Sequence, residues 1–220
     1  MKKWVLLLAV FTVAGSVAAS SCKTCKSCQG WKTLFDGKTL TGWETASGKP
    51  ITKGWIVEDG CLFMKTKGGS INTVGEYKDF ELEFEWSISK KGNSGVKYRF
   101  KNGLGPEYQV LDDVGHKNGK NPLTSAASMY ALFPCNDQKA PKPVGEFNKG
   151  RIVAKGTKLE HWLNGKKVVE VDTATKAWAD AKTASKFKGK AGYGEGAGKI
   201  HLQDHGNPVK FRNIRIRTLK

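Results

Sequence analysis

Arginine is scarce in this chain. Of 37 Lys and Arg residues only Arg99, Arg151, Arg212, Arg215 and Arg217 are arginine, although the formal net charge is +17. Bidentate recognition of phosphates and base edges favours Arg. The lysines are scattered instead of forming one block, and no nucleic-acid module signature is present, so nucleic acid is set aside as a partner. A solvated, Lys-coated surface suited to anionic lipid or polysaccharide is expected instead. Apolar runs are also missing beyond Val13, which leaves no transmembrane helix in the mature chain. Internal repeats and linkers are missing after Gly30, so residues 31–220 read as one domain. The five cysteines lack the company that a metal or haem site needs. Cys22, Cys25 and Cys28 form a C-x2-C-x2-C run without a fourth ligand, and no His follows Cys25 or Cys28. A tether over residues 20–30 whose thiols oxidise after export fits this run better. Cys61 and Cys135 lie inside the domain as candidates for pairing.

The first residues set the expected compartment. Lys2 and Lys3 precede the apolar run Trp4 to Val13, and small residues from Ala14 to Ala19 follow. That is the order of a secretory signal over residues 1–19. Alternatively, Ala19-Ser20-Ser21-Cys22 resembles a loose lipobox, which would place a lipid anchor on Cys22. An exported protein is expected, periplasmic or associated with the outer membrane.

Beyond the tether the pattern is β. Gly-containing breaks recur (Asp36-Gly37, Asp59-Gly60, Gly68-Gly69, Gly92, Gly103), with short runs of Val, Ile and aromatics between them. This spacing predicts an all-β sandwich. In Phe80 to Trp86 the apolar residues share one face, while Glu81, Glu83 and Glu85 share the other. Val96 to Phe100 alternates likewise, with Lys97 and Arg99 opposite the apolar side chains. Asn164-Gly165 between apolar runs predicts a tight hairpin, because both residues tolerate positive φ. Thr173 to Phe187 reads as a loop with one short helix. Val209, Phe211, Ile214 and Ile216 form a closing strand with Arg212, Arg215 and Arg217 facing out.

Several polar groups are candidates for chemistry. Arg99, Glu107 and Gln109 lie on strands joined by a short loop, so the pleat can gather them on one face. Gln203-Asp204-His205-Gly206-Asn207 is dense in polar groups at a strand end, where turn-making is the competing role. His161 has the parity of an inward, hydrogen-bonded histidine. Asp112-Asp113 can serve a turn, a Lys pair, calcium or substrate. Glu81-x-Glu83-x-Glu85 is similar to the carboxylate spacing of jelly-roll β-glucanases, whose acid and nucleophile must lie about 5–5.5 Å apart. A solvated strand face with cross-strand cationic partners explains it equally well.

The motifs also occur as an ordered set. Trp31-x-x-Leu34-Phe35-Asp36-Gly37-Lys38-x-Leu40-x-Gly42-Trp43 opens the domain. Gly92-Asn93-Ser94-Gly95-Val96-x-x-Arg99, Glu107-Tyr108-Gln109-Val110-Leu111-Asp112 and His161-Trp162-Leu163-Asn164-Gly165 follow. Leu202-Gln203-Asp204-His205-Gly206 and Phe211-Arg212-Asn213-Ile214 close it. From Trp31 to Leu219 this closely resembles the 3-keto-disaccharide hydrolase family, long labelled a domain of unknown function. One departure is Glu146-Phe147-Asn148, where the family often has Trp before the Asn.

The resemblance implies a concanavalin A-like jelly-roll β-sandwich of two antiparallel sheets, with a polar groove that takes an oligosaccharide or glycoside oxidised at C3. A C3 ketone acidifies the C2 hydrogen, so a base can start an elimination that expels the C1 substituent. On this reading Glu107 and His205 are base and acid, in either order. Arg99 stabilises the enediolate and Asp204 orients His205. Glu85, Asn93, Gln109, Asp112, His161 and Gln203 are candidate sugar contacts. The cofactor is left open, with a divalent metal ion as the alternative electrophile. A non-catalytic carbohydrate-binding module and a laminarinase-like glycosidase stand as the other function classes.

Overall fold

The computed structural model describes residues 30–220. The expected secretory signal and the run Cys22, Cys25, Cys28 lie outside the described residues. Alternation in the sequence dictates the strands. In β6 (Phe80–Ile88), Phe80, Leu82, Phe84, Trp86 and Ile88 enter the core while Glu81, Glu83 and Glu85 meet arginines on the opposite face. Burying each such large apolar side chain stabilises the fold by roughly 1.5–3 kcal/mol.

The larger sheet runs β11 (Lys166–Asp172), β10 (Lys158–Leu163), β9 (Asn148–Lys155), β6, β13 (Val209–Thr218), β4 (Cys61–Met64) and β3 (Trp55–Glu58). Strand β1 (Trp31–Thr33) pairs with the far end of β13. The smaller sheet runs β2 (Trp43–Thr45), β5 (Ile71–Tyr77), β12 (Gly198–Leu202), β7 (Asn93–Phe100) and β8 (Glu107–Leu111). Neighbouring strands are antiparallel in both sheets. The inner faces meet in one core that includes Trp86, Tyr98, Tyr108, Met129 and Phe211. The expected jelly-roll sandwich is the fold observed.

The hairpin at Asn164-Gly165 forms as expected, with φ of 50° and 85° at the two residues. The helical segment is α1 (Lys176–Ala184), whose first turn is capped by the Thr175 hydroxyl accepting from Trp178 N. Cys61 and Cys135 are not paired: both are free thiols, bonded instead to the carbonyls of Asp59 and Ala126.

In β13 the bulge at Asn213 (φ 52°) restores the alternation that its sequence breaks. Arg212, Arg215 and Arg217 therefore all face outward, opposite Glu85, Glu83 and Glu81. Their Nε atoms reach those carboxylates at 2.7, 2.8 and 2.6 Å. The part-exposed pairs made by Arg212 and Arg215 contribute about 0–1 kcal/mol each. Their clearer effect is to fix the strand register.

Candidate functional site

The outer face of the smaller sheet gathers the polar residues. Val96, Tyr98, Tyr108, Val110, Ile200 and Leu202 point into the core. The pleat therefore turns Lys97, Glu107, Gln109 and His201 outward. Lys97 lies opposite Glu107 on one side and His201 on the other, and Gly95 lies opposite Gln109. This outer face is nevertheless covered, since Glu107 is only 4% exposed and Gln109 1%. Residues 127–130 run along the free edge of β8. Ala127 N donates to Gln109 O (2.8 Å), and Tyr130 N donates to Glu107 O (3.1 Å). Lys186, from the loop after α1, sits 4.3 Å over the Tyr130 ring.

Glu107 is the electrostatic centre. Burial pushes its carboxyl up to about 7, against the opposing pull of Lys97, Lys186 and a hydrogen bond from Gln203. Lys97 Nζ is 3.8 Å from Oε2, and Gln203 Nε2 donates to the same oxygen at 3.2 Å. The Lys97 ammonium is itself lowered by burial. Gly95 makes this crowding possible: a Cβ there would meet Gln203 Oε1 at 2.4 Å and Glu107 Oε1 at 2.6 Å. Gln109 Nε2 donates to Asn93 Oδ1 at 3.2 Å. Among the described residues, Gln109 Oε1 and Gln203 Oε1 are buried without a donor. Tyr193 OH is likewise buried without a partner, and burial, helped by Tyr98 and Glu107, raises its pKa.

Two histidines flank Lys97. The His201 ring bonds Asn72 Oδ1 at 2.7 Å and lies 4.1 Å from the Phe100 ring. Burial, helped by Lys97 and His205, pushes it down to about 3, so it is neutral throughout the physiological range. His205 stands exposed at the rim. Its pKa is lowered by desolvation and by the cations Lys97, His116 and Lys186, against Asp204.

The structure brings Glu107, Gln109, Gln203 and Asn93 together, with His205 at their edge. It separates the other candidates from them. Arg99 does not face this site. An extra residue in β7 opposite β12 makes a bulge, and Arg99 takes φ 46° there. Its guanidinium swings to the sheet edge, where it donates to Lys78 O (2.8 Å), Gly194 O (2.9 Å) and Asp79 Oδ1 (3.2 Å).

Asp204 caps a turn. Its carboxylate accepts from the backbone N–H groups of Gly68, Gly69 and Gly206 at 2.6–2.7 Å, so it acts on His205 through the turn. Asp112 is committed in the same way to Lys91, Val114 and Gly115 N–H groups, which hold it below the usual carboxylate range despite burial. His161 is a core residue between Tyr98 OH and Ala127 O, each at 3.0 Å. Glu85 lies across the sandwich, on the larger sheet, paired with Arg212.

Sequence reasoning missed Lys97, His201 and Lys186 as site residues. The signal for Lys97 was present, since it shares the outward parity first credited to Arg99. Nothing local marked His201 or Lys186, which arrive through strand pairing and a loop.

A cavity of about 640 Å³ lies elsewhere, on the outer face of the larger sheet. Its carboxylates Glu83 and Glu85 are already matched by arginines. A proton-transfer group needs a pKa near the working pH, and Glu107 on the smaller sheet meets that condition. Among the described residues no three His, Cys, Asp or Glu side chains converge as a metal site. The Glu107 carboxylate beside the Gln109 and Gln203 amides is an oxygen-rich spot that suits a hard cation better than a soft one.

The description 3-keto-alpha-glucoside-1,2-lyase-like domain matches residues 30–217 of the chain. A Bacteroides thetaiotaomicron protein named 3-keto-disaccharide hydrolase is 36% identical over 257 aligned positions, covering 94% of this chain and 88% of that one. A solved Parabacteroides distasonis chain, described as a candidate glycosyl hydrolase, superposes with a TM-score of 0.81 at 32% identity. The match covers 89% of this chain and 96% of that one. A carbohydrate-binding module, CBM66 from Bacillus subtilis, shares the fold at a TM-score of 0.53 and 16% identity, covering 81% and 96% of the two chains.

Proposed function

This chain belongs to the 3-keto-alpha-glucoside-1,2-lyase-like family, and on that premise we propose that it cleaves 3-keto-glycosides by removing the proton at C2. The observation that carries the proposal is the buried Glu107 carboxyl, raised to about 7 with an ammonium 3.8 Å away. A base of that strength is stronger than an ordinary carboxylate and is still ionised near neutrality.

The electrons balance without a charged sugar ring. Glu107 takes the proton from C2, and the electron pair enters the C2–C3 bond as the C3 oxygen becomes an enediolate. Re-formation of the ketone expels the C1 oxygen, leaving a C1=C2 double bond conjugated with it. Water added across that double bond gives the free 3-keto sugar and completes a net hydrolysis. Lys97 takes the role first expected of Arg99, because its ammonium is beside the base and desolvated. Gln203 holds Glu107 in register. His205 is assigned to the leaving oxygen: it stands at the rim, where the aglycone would leave toward solvent.

A 3-keto-disaccharide and its unoxidised parent distinguish the readings when each is incubated with the protein in D2O. Cleavage of the ketone alone, with deuterium at C2 of the product, is the expected result. Cleavage of the parent would replace this reading with a conventional glycosidase. Binding without turnover would leave a carbohydrate-binding module.

The electrophile has its own test. Lys97→Met is expected to lower kcat by about 10²–10³-fold, the usual loss for one oxyanion-stabilising donor. Lys97 also holds the Glu107 pKa down. The variant's pH–rate profile should therefore shift its ionisation upward, to more alkaline pH. An unchanged profile would remove Lys97 from the site.

A further inference from the structure

Lys186 stands at the Glu107 site without a counter-ion. Its ammonium lies 4.3 Å over the Tyr130 ring and 5.3 Å from the centre of the Phe187 ring. Tyr130 is tied to the strand of the base, since its N–H donates to Glu107 O at 3.1 Å. Phe187 is buried and stacks on Tyr193 at 4.3 Å, and Tyr193 stacks on Trp178 at 6.0 Å. The aromatic rings therefore hold this cation in place. Among the described residues no carboxylate lies within ion-pair distance of it. The acids of the neighbouring loops are engaged elsewhere. Asp204 and Asp112 each accept from three backbone N–H groups, and Asp113 pairs with Lys139 at 2.6 Å. Positive charge instead accumulates: Lys97, His116 and Lys186 all act on His205 as cations, and Lys186 acts on Lys97 as well.

Two ammonium groups thus face the single carboxylate of Glu107, and it is Lys97 that lies 3.8 Å from it. The mismatch persists through the reaction. Abstraction of the C2 proton neutralises Glu107 and creates one negative charge, on the enediolate, which Lys97 balances. Lys186 is left over at each stage. Water solvates it in the free protein, and a substrate that fills the mouth displaces part of that water. A negative group on the substrate makes good the loss, and a cation already held in place costs less to order. An ammonium is a compact charge without the fork of a guanidinium, so it takes a carboxylate or a sulfate alike. Lys186 acts on His205, the residue assigned to the leaving oxygen. We infer that the leaving portion of the substrate carries an anionic group, carboxylate or sulfate, and that Lys186 selects it. The inference rests on the reading of Glu107 as the base of a 3-keto-glycoside site.

Three 3-keto-α-glucosides test it, alike in the sugar and different in the leaving group: 4-carboxyphenyl, 4-sulfophenyl and the neutral 4-carbamoylphenyl. Binding is measured by calorimetry in Glu107→Gln, which holds each glycoside uncleaved, and cleavage by release of the phenol from the wild type. At low salt at least one anionic glycoside is expected to bind about fivefold tighter than the neutral one, the upper range for a part-exposed ion pair. Added to Glu107→Gln, Lys186→Met should abolish that preference and Lys186→Glu should invert it. Lys190→Met, at an exposed position further along the same loop, should keep it. Equal binding of all three glycosides overturns the inference. So does a preference that survives Lys186→Met, or one that falls as far in Lys190→Met, which would assign it to net charge. Cleavage of all three without a preference in binding would leave the base standing and remove the role of Lys186. A preference without cleavage of any would remove the base and keep the anion site. No binding of any of the three would overturn both.

Discussion

Glu107→Gln is expected to lower turnover of a 3-keto-disaccharide by about 10²–10⁴-fold, the usual contribution of a positioned acid or base. The fold should persist, because Gln keeps an oxygen for the hydrogen bond that Gln203 donates. The wild-type kcat/KM should rise with pH through about 7 as the carboxyl ionises, and this limb should vanish in the variant. If the wild-type rate instead falls through 7, Glu107 is the acid and His205, whose pKa desolvation and the nearby cations lower, is the base.

Stability supplies an independent readout of the same group. The folded pKa of Glu107 lies above its unfolded value of 4.5. The folded state therefore binds more protons between about 4.5 and 7, and wild-type stability falls as pH rises across that window. The full difference is on the order of 3 kcal/mol. Gln carries no such penalty. Thermal melts should show the variant gaining on the wild type from pH 4 to pH 8, and parallel curves would contradict the buried, raised carboxyl.

Gly95→Ala is the second large effect. The added methyl would approach Gln203 Oε1 and Glu107 Oε1 to 2.4 and 2.6 Å, and both oxygens belong to buried groups with little room to retreat. Overpacking of this kind typically costs about 1–3 kcal/mol. Displacing the base by even about 1 Å costs on the order of 10²-fold in rate. A folded variant with reduced Tm and at least hundredfold lower kcat is expected. Wild-type turnover would show that Glu107 and Gln203 do not work over Gly95.

The sequence made the sandwich readable because its strands obey the pleat. β6 and the Asn164-Gly165 hairpin follow from neighbours in the chain alone. Glu107, Gln109 and Gln203 were legible for the same reason, since each lies on the outward side of a regular strand or at its end. Arg99 was not, because a single extra residue in β7 reverses the parity on which the expectation rested. Asp112 and Asp204 were open for a different reason. A carboxylate beside glycine is equally suited to a ligand or to backbone N–H groups, and only long-range folding decides. Glu85 shows the limit of face arguments. Parity placed it correctly opposite the apolar residues of β6, but it could not tell that β6 and the strand of Glu107 belong to different sheets.

The clasp made by Asp204 has a consequence for anyone reshaping this protein. It joins the turn carrying His205 to Gly68 and Gly69, 135 residues earlier in the chain. Gly68 in turn packs against Gly54 so tightly that a Cβ on either would lie within about 2.5 Å of the other's Cα. These three stretches are tied directly to one another. A transplanted His205 turn will keep its aim only if both glycine loops travel with it.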